Sequence, residues 1–193
     1  MPTDLVSNTK LIEALGPLPE PLVQPPFIVV SGLPGTGKSY FSRRLAEKLP
    51  CIILESDWVR QQLYSNPIYS PEESARLFQV IHSLIEELLG KGIPVILDAT
   101  NLSERNRETL YHIADKLKAK LILVRVEAPP DVVKQRLEAR SSGYNPGDNS
   151  RADWDVYQRM KSSVEKLARR HFAVDTSRDI TPVIDKVLRE VKR

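Results

Sequence analysis

Eight consecutive residues, Gly32-Leu33-Pro34-Gly35-Thr36-Gly37-Lys38-Ser39, fit G-x-x-x-x-G-K-[ST], the spacing of a phosphate-binding loop. Three glycines let the backbone curl until successive N–H groups point inward at phosphate oxygens. The apolar run Phe27-Ile28-Val29-Val30 ahead of the loop reads as a strand, and Lys38 to Leu49 after it as a helix. That helix adds its N-terminal partial positive charge to the same place. Lys38 is positioned to reach the β- and γ-phosphates, and the Ser39 hydroxyl to ligate Mg²⁺. The alternative is a Gly-rich turn that binds nothing. The strand-then-helix setting argues against it, so a nucleoside triphosphate is the expected ligand.

Three further groups could complete the chemistry. Asp57, in Glu55-Ser56-Asp57-Trp58-Val59-Arg60, follows an apolar run, and Arg60 lies one helical turn on. An acid facing a substrate hydroxyl can act as general base, and a neighbouring arginine can hold an acceptor's phosphate or carboxylate. Asp57 could instead only cap the following helix, and Trp58 suits packing better than base stacking. Asp98 ends the run Val95-Ile96-Leu97-Asp98, where a carboxylate would help hold Mg²⁺ or its water shell beside Ser39. Asn101 could contact acceptor or metal-bound water, or serve the turn. Arg136 and Arg140 share a helix face leading into the loop from Ser141 to Arg151. They suit a lid over about 136–153 that closes on the triphosphate, with Arg140 for the γ-phosphate and Arg136 for nucleotide or acceptor. A solvated basic face is the competing reading.

The elements that must position these residues are legible as alternating apolar runs and amphipathic stretches. Strands are expected at Phe27–Ser31, Cys51–Leu54, Pro94–Asp98, Leu121–Val126 and Phe172–Asp175. The clearest helix is Pro71–Leu89, with Ser70 and Glu73 as a capping box, Pro71 at its first position and Gly90 to cap its end. Others start near Ser103, carry Val133 and Leu137, run through Val156, Met160, Val164 and Leu167, and close the chain through Val183, Val187 and Val191. Near-continuous Val/Ile/Leu strands imply burial on both faces, hence a parallel sheet in a three-layer α/β/α sandwich. Ligands of such sheets bind beyond the C-terminal strand ends, where the candidate residues fall.

Composition narrows the classes. The 193 residues suffice for one core, 41% being hydrophobic and 27% charged, with a net charge of +3. That charge argues weakly for nucleic acid. Six of the 15 prolines fall within residues 1–26, which reads as an arm: a short helix around Leu5–Leu15, then an extended segment ahead of the domain at 27–193. Cys51 sits in an apolar run and suits a buried hydrophobe. No stretch is long and apolar enough to span a membrane, and the N-terminus has no secretory pattern, so cytoplasm is the expected location. His82, His112 and His171 lack ligand spacing. No [NT]-K-x-D or L-S-G-G-Q stretch occurs, which disfavours GTPase switches and transporter motors.

Gly32–Ser39, Asp57 with Arg60, Leu97-Asp98-Ala99-Thr100-Asn101-Leu102 running into Glu104-Arg105, and Arg136 with Arg140 together resemble the kinase half of phage-type polynucleotide kinase. They are also similar to the wider group of small P-loop kinases around it, the zeta-toxin-like and gluconate-kinase-like proteins. The resemblance runs from Phe27 to Asp175. It implies a five-stranded parallel sheet in the P-loop nucleoside triphosphate hydrolase fold, ATP with Mg²⁺, Asp57 as general base, Arg60 on the acceptor side and Arg140 as lid arginine. It leaves the acceptor open. No basic, aromatic-interleaved groove suits a nucleic-acid strand, and the acids of Gly147–Trp154 would repel one. A small-molecule hydroxyl acceptor is therefore favoured over a polynucleotide 5′-hydroxyl. A binding module that uses ATP hydrolysis to time partner release is the third reading.

Overall fold

Five runs rich in Val, Ile and Leu form one sheet: β1 (Pro26–Ser31), β2 (Ile52–Glu55), β3 (Val95–Asp98), β4 (Lys120–Glu127) and β5 (Phe172–Asp175). The computed structural model describes residues 7–142 and 152–193. All pairings are parallel, in the order β2-β3-β1-β4-β5. The register sets Val30 beside Asp98 and Asp98 beside Glu55, so the acidic strand tips share one edge. A uniform strand direction needs a crossover between each pair of strands, and helices supply them.

Eight helices lie among the described residues: α1 (Asn8–Ala14), α2 (Lys38–Ala46), α3 (Ser56–Leu63), α4 (Pro71–Gly90), α5 (Glu104–Lys116), α6 (Pro130–Ser142), α7 (Trp154–Lys161) and α8 (Thr181–Lys192). Alternate residues of β1 feed two cores. Phe27 and Val29 pack with α1, α3, α4 and α5, while Ile28 and Val30 pack with α2 and α8. That alternation is the period-2 geometry of a strand covered on both faces. A third cluster, Val133, Leu137 and Tyr157, joins α6 to α7 and takes in Leu33 of the glycine loop.

Several boundaries depart from the sequence expectations for identifiable reasons. The first helix does not lie outside the domain: Leu11 and Ile12 enter the first core, and Asn8 Nδ2 donates to Ser83 Oγ at 2.7 Å. The helix expected through Val164 and Leu167 stops at Lys161. Beyond it, the Glu165 N–H donates to the Leu102 carbonyl at 3.0 Å, and Arg107 Nη2 donates to the carbonyls of Glu165 and Lys166 at 3.2 and 2.9 Å. A fully buried guanidinium thus draws the backbone out of a helical path. Cys51 is half-buried, and burial pushes its thiol up to about 12, as suits a packing residue.

At α4 the Ser70 Oγ accepts from the Glu73 N–H at 3.1 Å, but the Glu73 carboxylate turns to the Ile68 N–H at 2.8 Å. Only half of the expected capping box therefore forms. At the other end Gly90 remains helical and Gly92 adopts φ +77°. The Ile93 N–H donates to Leu88 O and the Gly92 N–H to Leu89 O, both at 2.9 Å, which is a Schellman cap on Gly92. A Cβ there would also lie 2.7 Å from the Leu22 carbonyl oxygen, whereas one at Gly90 meets nothing within 4 Å. Gly92→Ala is expected to lower stability by about 1–3 kcal/mol, and Gly90→Ala to be neutral or slightly stabilising. Urea denaturation midpoints of the two variants check this, and equal midpoints would contradict it.

Candidate active site

The glycine loop leaves the tip of β1 and turns into α2. Gly37, at φ +93°, is the N-cap residue of α2, so the main-chain N–H groups of the first turn face the loop's interior. Lys38 Nζ donates to the Leu33 carbonyl at 3.2 Å, and Thr36 Oγ1 to the same carbonyl at 2.7 Å. Two ties hold the loop from outside. The Gly32 N–H donates to Thr100 O at 3.1 Å, and Thr176 Oγ1 donates to Thr36 O at 2.6 Å. Gly35 has φ +76°, and a Cβ there would lie 2.9 Å from side-chain atoms of Val133 and Leu137. The helix α6 is seated directly against the loop.

Asp98 is only 5% exposed, and its Oδ2 has no hydrogen-bond partner among the described residues. Burial pushes its carboxyl above the ordinary aspartate value; the nearby charges of Glu55 and Asp57 add to that. The Lys38 ammonium and a hydrogen bond with Ser39 act in the other direction. These five residues therefore share one electrostatic neighbourhood at the strand tips. A desolvated carboxylate oxygen with no donor, beside a serine hydroxyl, fits the donor set of a hard divalent cation. The residues that would hold Mg²⁺ are Ser39 and Asp98, with nucleotide phosphates completing the shell. Glu55 was not singled out in the sequence; it follows the same rule as Asp98, an acid at a strand end, and its carboxylate also pairs with Arg43 at 3.2 Å.

Asp57 lies in the first turn of α3, half-buried, two residues after the N-cap residue Glu55, whose own side chain makes no capping bond. Trp58 packs against the first core. Arg60, expected on the acceptor side, is engaged by neighbouring side chains. Its guanidinium is buried, ion-paired with Glu73, donates to Ser74 Oγ at 3.3 Å and stacks 4.6 Å from the Tyr69 ring centroid. Asn101 is likewise committed to the turn. It adopts φ +47° and is 4% exposed, and its Nδ2 donates to Val30 O at 3.1 Å. Arg107, unmarked in the sequence, fixes this turn by donating from Nη1 to Asn101 O at 2.5 Å.

The two arginines of α6 diverge. Arg136 Nη1 donates to Thr176 Oγ1 at 2.8 Å and Nη2 to Thr176 O at 3.0 Å, with Gly35 O at 3.5 Å from Nη1. Arg136 thus lies on the outer flank of the glycine loop. Arg140, one turn on, donates from Nη1 to Ala152 O at 3.5 Å. Residues 143–151 of the expected lid lie outside the described residues. Thr176 was missed, although its place just past β5 on the binding edge was a usable signal.

The AAA domain family matches residues 27–167, and the chain belongs to that family. An uncharacterised protein of Mycobacterium tuberculosis is 27% identical over 155 residues, which cover 70% of this chain and 31% of that protein. The L-seryl-tRNA(Sec) kinase of Methanococcus maripaludis is 31% identical over 114 residues, 56% of this chain and 44% of that enzyme. The chain thus spans less than half the length of either relative. Among solved structures, a gluconokinase from Sinorhizobium meliloti aligns over 88% of this chain and 93% of its own with a TM-score of 0.62 and 21% identity. The Mycobacterium tuberculosis APS kinase, solved with AMPPNP and APS, aligns over 90% and 100% at TM-score 0.67 and 16% identity. The Pnkp1/Rnl/Hen1 RNA repair complex aligns over 74% of this chain and 47% of its own at TM-score 0.55 and 22% identity. The fold is the kinase-like P-loop fold. No helix among the described residues is long and apolar enough to cross a membrane.

The raised Asp98 carboxyl has a measurable consequence. Its charged form is disfavoured in the folded chain, so stability is lost as pH climbs from the unfolded aspartate value through the folded one. Asp98→Asn removes that cost. The nucleotide-free variant is expected to melt above wild type at pH 7, with the gap closing as pH falls below about 4, the ordinary unfolded aspartate value. Thermal melts across that range check it; a variant that melts lower at pH 7 contradicts it.

Proposed function

We propose that the chain is an ATP-dependent phosphotransferase that moves the γ-phosphoryl group to the hydroxyl of a small-molecule acceptor. The observation that carries this reading is the buried Asp98 carboxylate, one oxygen of which has no hydrogen-bond partner among the described residues, beside Ser39 and Lys38 at the mouth of the glycine loop. The family and the kinase-like fold support it. The loop amides and Lys38 bind and orient the β- and γ-phosphates. Magnesium, when bound with the nucleotide at Ser39 and Asp98, would draw negative charge from the phosphate oxygens.

Asp57 serves as general base and takes the proton from the acceptor hydroxyl. The freed oxygen pair forms a bond to the γ-phosphorus while the bond from phosphorus to the β,γ-bridging oxygen breaks, and ADP leaves with that electron pair. Arg140 supplies charge to the phosphoryl group in flight, and Arg136, hydrogen-bonded on the flank of the loop, serves the nucleotide side. Arg60 acts on the acceptor only indirectly, by bracing Ser74 and Tyr69 around the start of α4.

The kinship with an L-seryl-tRNA(Sec) kinase keeps an acceptor hydroxyl attached to RNA as the second reading. ADP release in the presence of ATP and Mg²⁺, with sugars, nucleosides and 5′-hydroxyl oligonucleotides added in turn, separates the two. Asp57→Asn is expected to lower acceptor-dependent turnover by about 10²–10⁴-fold while ATP binding persists. Unchanged turnover would remove Asp57 from the mechanism.

A further inference from the structure

A cavity of about 400 Å³ opens between α4 and α5, on the face of the sheet that these helices cover, and reaches the turn after β3 at Asn101. That volume is within the range of small-molecule sites. Two of its lining residues connect it to the reaction centre. Asn101 forms one wall, three residues beyond Asp98, and its neighbour Thr100 holds the Gly32 N–H. Ser74 forms another, and accepts from Arg60, one turn along α3 from Asp57. The cavity is thus linked to the phosphate loop through the turn at Thr100–Asn101 and to the helix that carries Asp57 through Arg60 and Ser74.

The lining has a definite chemistry. Among the described residues it presents no carboxylate, ammonium or guanidinium. Arg60, which reaches Ser74 from behind, is already neutralised by Glu73. Burial, the larger influence, lowers the His82 imidazole below the ordinary histidine value against the opposing charge of Glu86, so His82 is neutral at pH 7. What remains is an aromatic platform, Phe78 with His82 at 6.2 Å between ring centroids, and the side-chain amides of Gln79 and Asn106. Amides both donate and accept, which matches hydroxyl groups, and an aromatic face suits the C–H face of a sugar ring or a base. A phosphate or carboxylate brought here would lose hydration and meet no cation among the described lining residues.

We infer that this cavity is the acceptor site and that it takes an uncharged, polyhydroxylated molecule of the size of a sugar or nucleoside. The inference rests on the phosphotransfer reading and adds the class of acceptor to it. It sets this chain apart from enzymes that hold an anionic acceptor on arginines.

The test uses the whole chain with ATP and Mg²⁺, and follows ADP release with glucose, ribose, adenosine and uridine against gluconate, 5′-AMP and a 5′-hydroxyl oligonucleotide. At least one neutral compound is expected to accelerate release, and sugars against nucleosides in that set identify the source. Ala75→Trp, on an exposed position of the cavity wall, is expected to raise the KM for that compound by at least about tenfold. Gln79→Ala, also exposed, provides a second and milder test should the tryptophan variant fold poorly. Acceleration by the anionic compounds alone, by none of the neutral ones, or an acceptor KM indifferent to both variants overturns the inference. Equilibrium dialysis of labelled ATP separates the two levels: retained ATP binding confines such a failure to the acceptor class, and absent binding removes the phosphotransfer reading beneath it.

Discussion

A carboxylate taken out of water must be paired, protonated or poised for a cation. Asp98 meets that constraint at the point where β1, β2 and β3 end together, and the arrangement around it depends on how it is met. Lys38 and Ser39 favour its charge, whereas burial and two further acids oppose it. A fold selected for stability alone would place an amide or an apolar group there. Retaining the acid at some cost in stability is the usual mark of a site shaped by chemistry.

Around that centre the chain invests in bracing. Arg107, 1% exposed, ties the turn after β3 to the strand of backbone beyond α7. Thr176 ties the loop after β5 to the glycine loop, and Arg136 locks Thr176. Arg60 and Glu73 form a buried ion pair that fixes the start of α4. Buried ion pairs rarely add much net stability, because desolvation offsets their attraction. Their effect is geometric: each holds a loop at one place relative to the strand tips. Catalysis by positioning needs that rigidity more than it needs extra stability.

The sheet, its helices and the phosphate loop were legible because they are written locally. Val/Ile/Leu runs, helical stripes and the glycine spacing carry their meaning within a dozen residues. The misses share one cause, which is partnership across long sequence separations. Arg60 reads as an exposed arginine of α3, and its burial against Glu73 on α4 is not legible locally. Asn101 reads equally as a contact or a turn residue, and its amide on the Val30 carbonyl, far back in the sequence, shows the turn role. The helix expected through Val164 fails because Arg107, nearly sixty residues earlier, captures the backbone. The C-terminal cap of α4 moved from Gly90 to Gly92 because a left-handed residue is set by where the Schellman bonds close. Thr176 and Glu55 obeyed the strand-end rule all the same and could have been read from it.

The central claim is that the loop amides, Lys38, Ser39 and Asp98 act as a single receptor for a metal-bound triphosphate. Titration calorimetry of the unmodified protein with ATP, in magnesium and again in a chelator, tests it most directly. A single saturable site that weakens sharply when magnesium is removed is the predicted result. Absence of binding, or the same affinity in both solutions, would contradict the account.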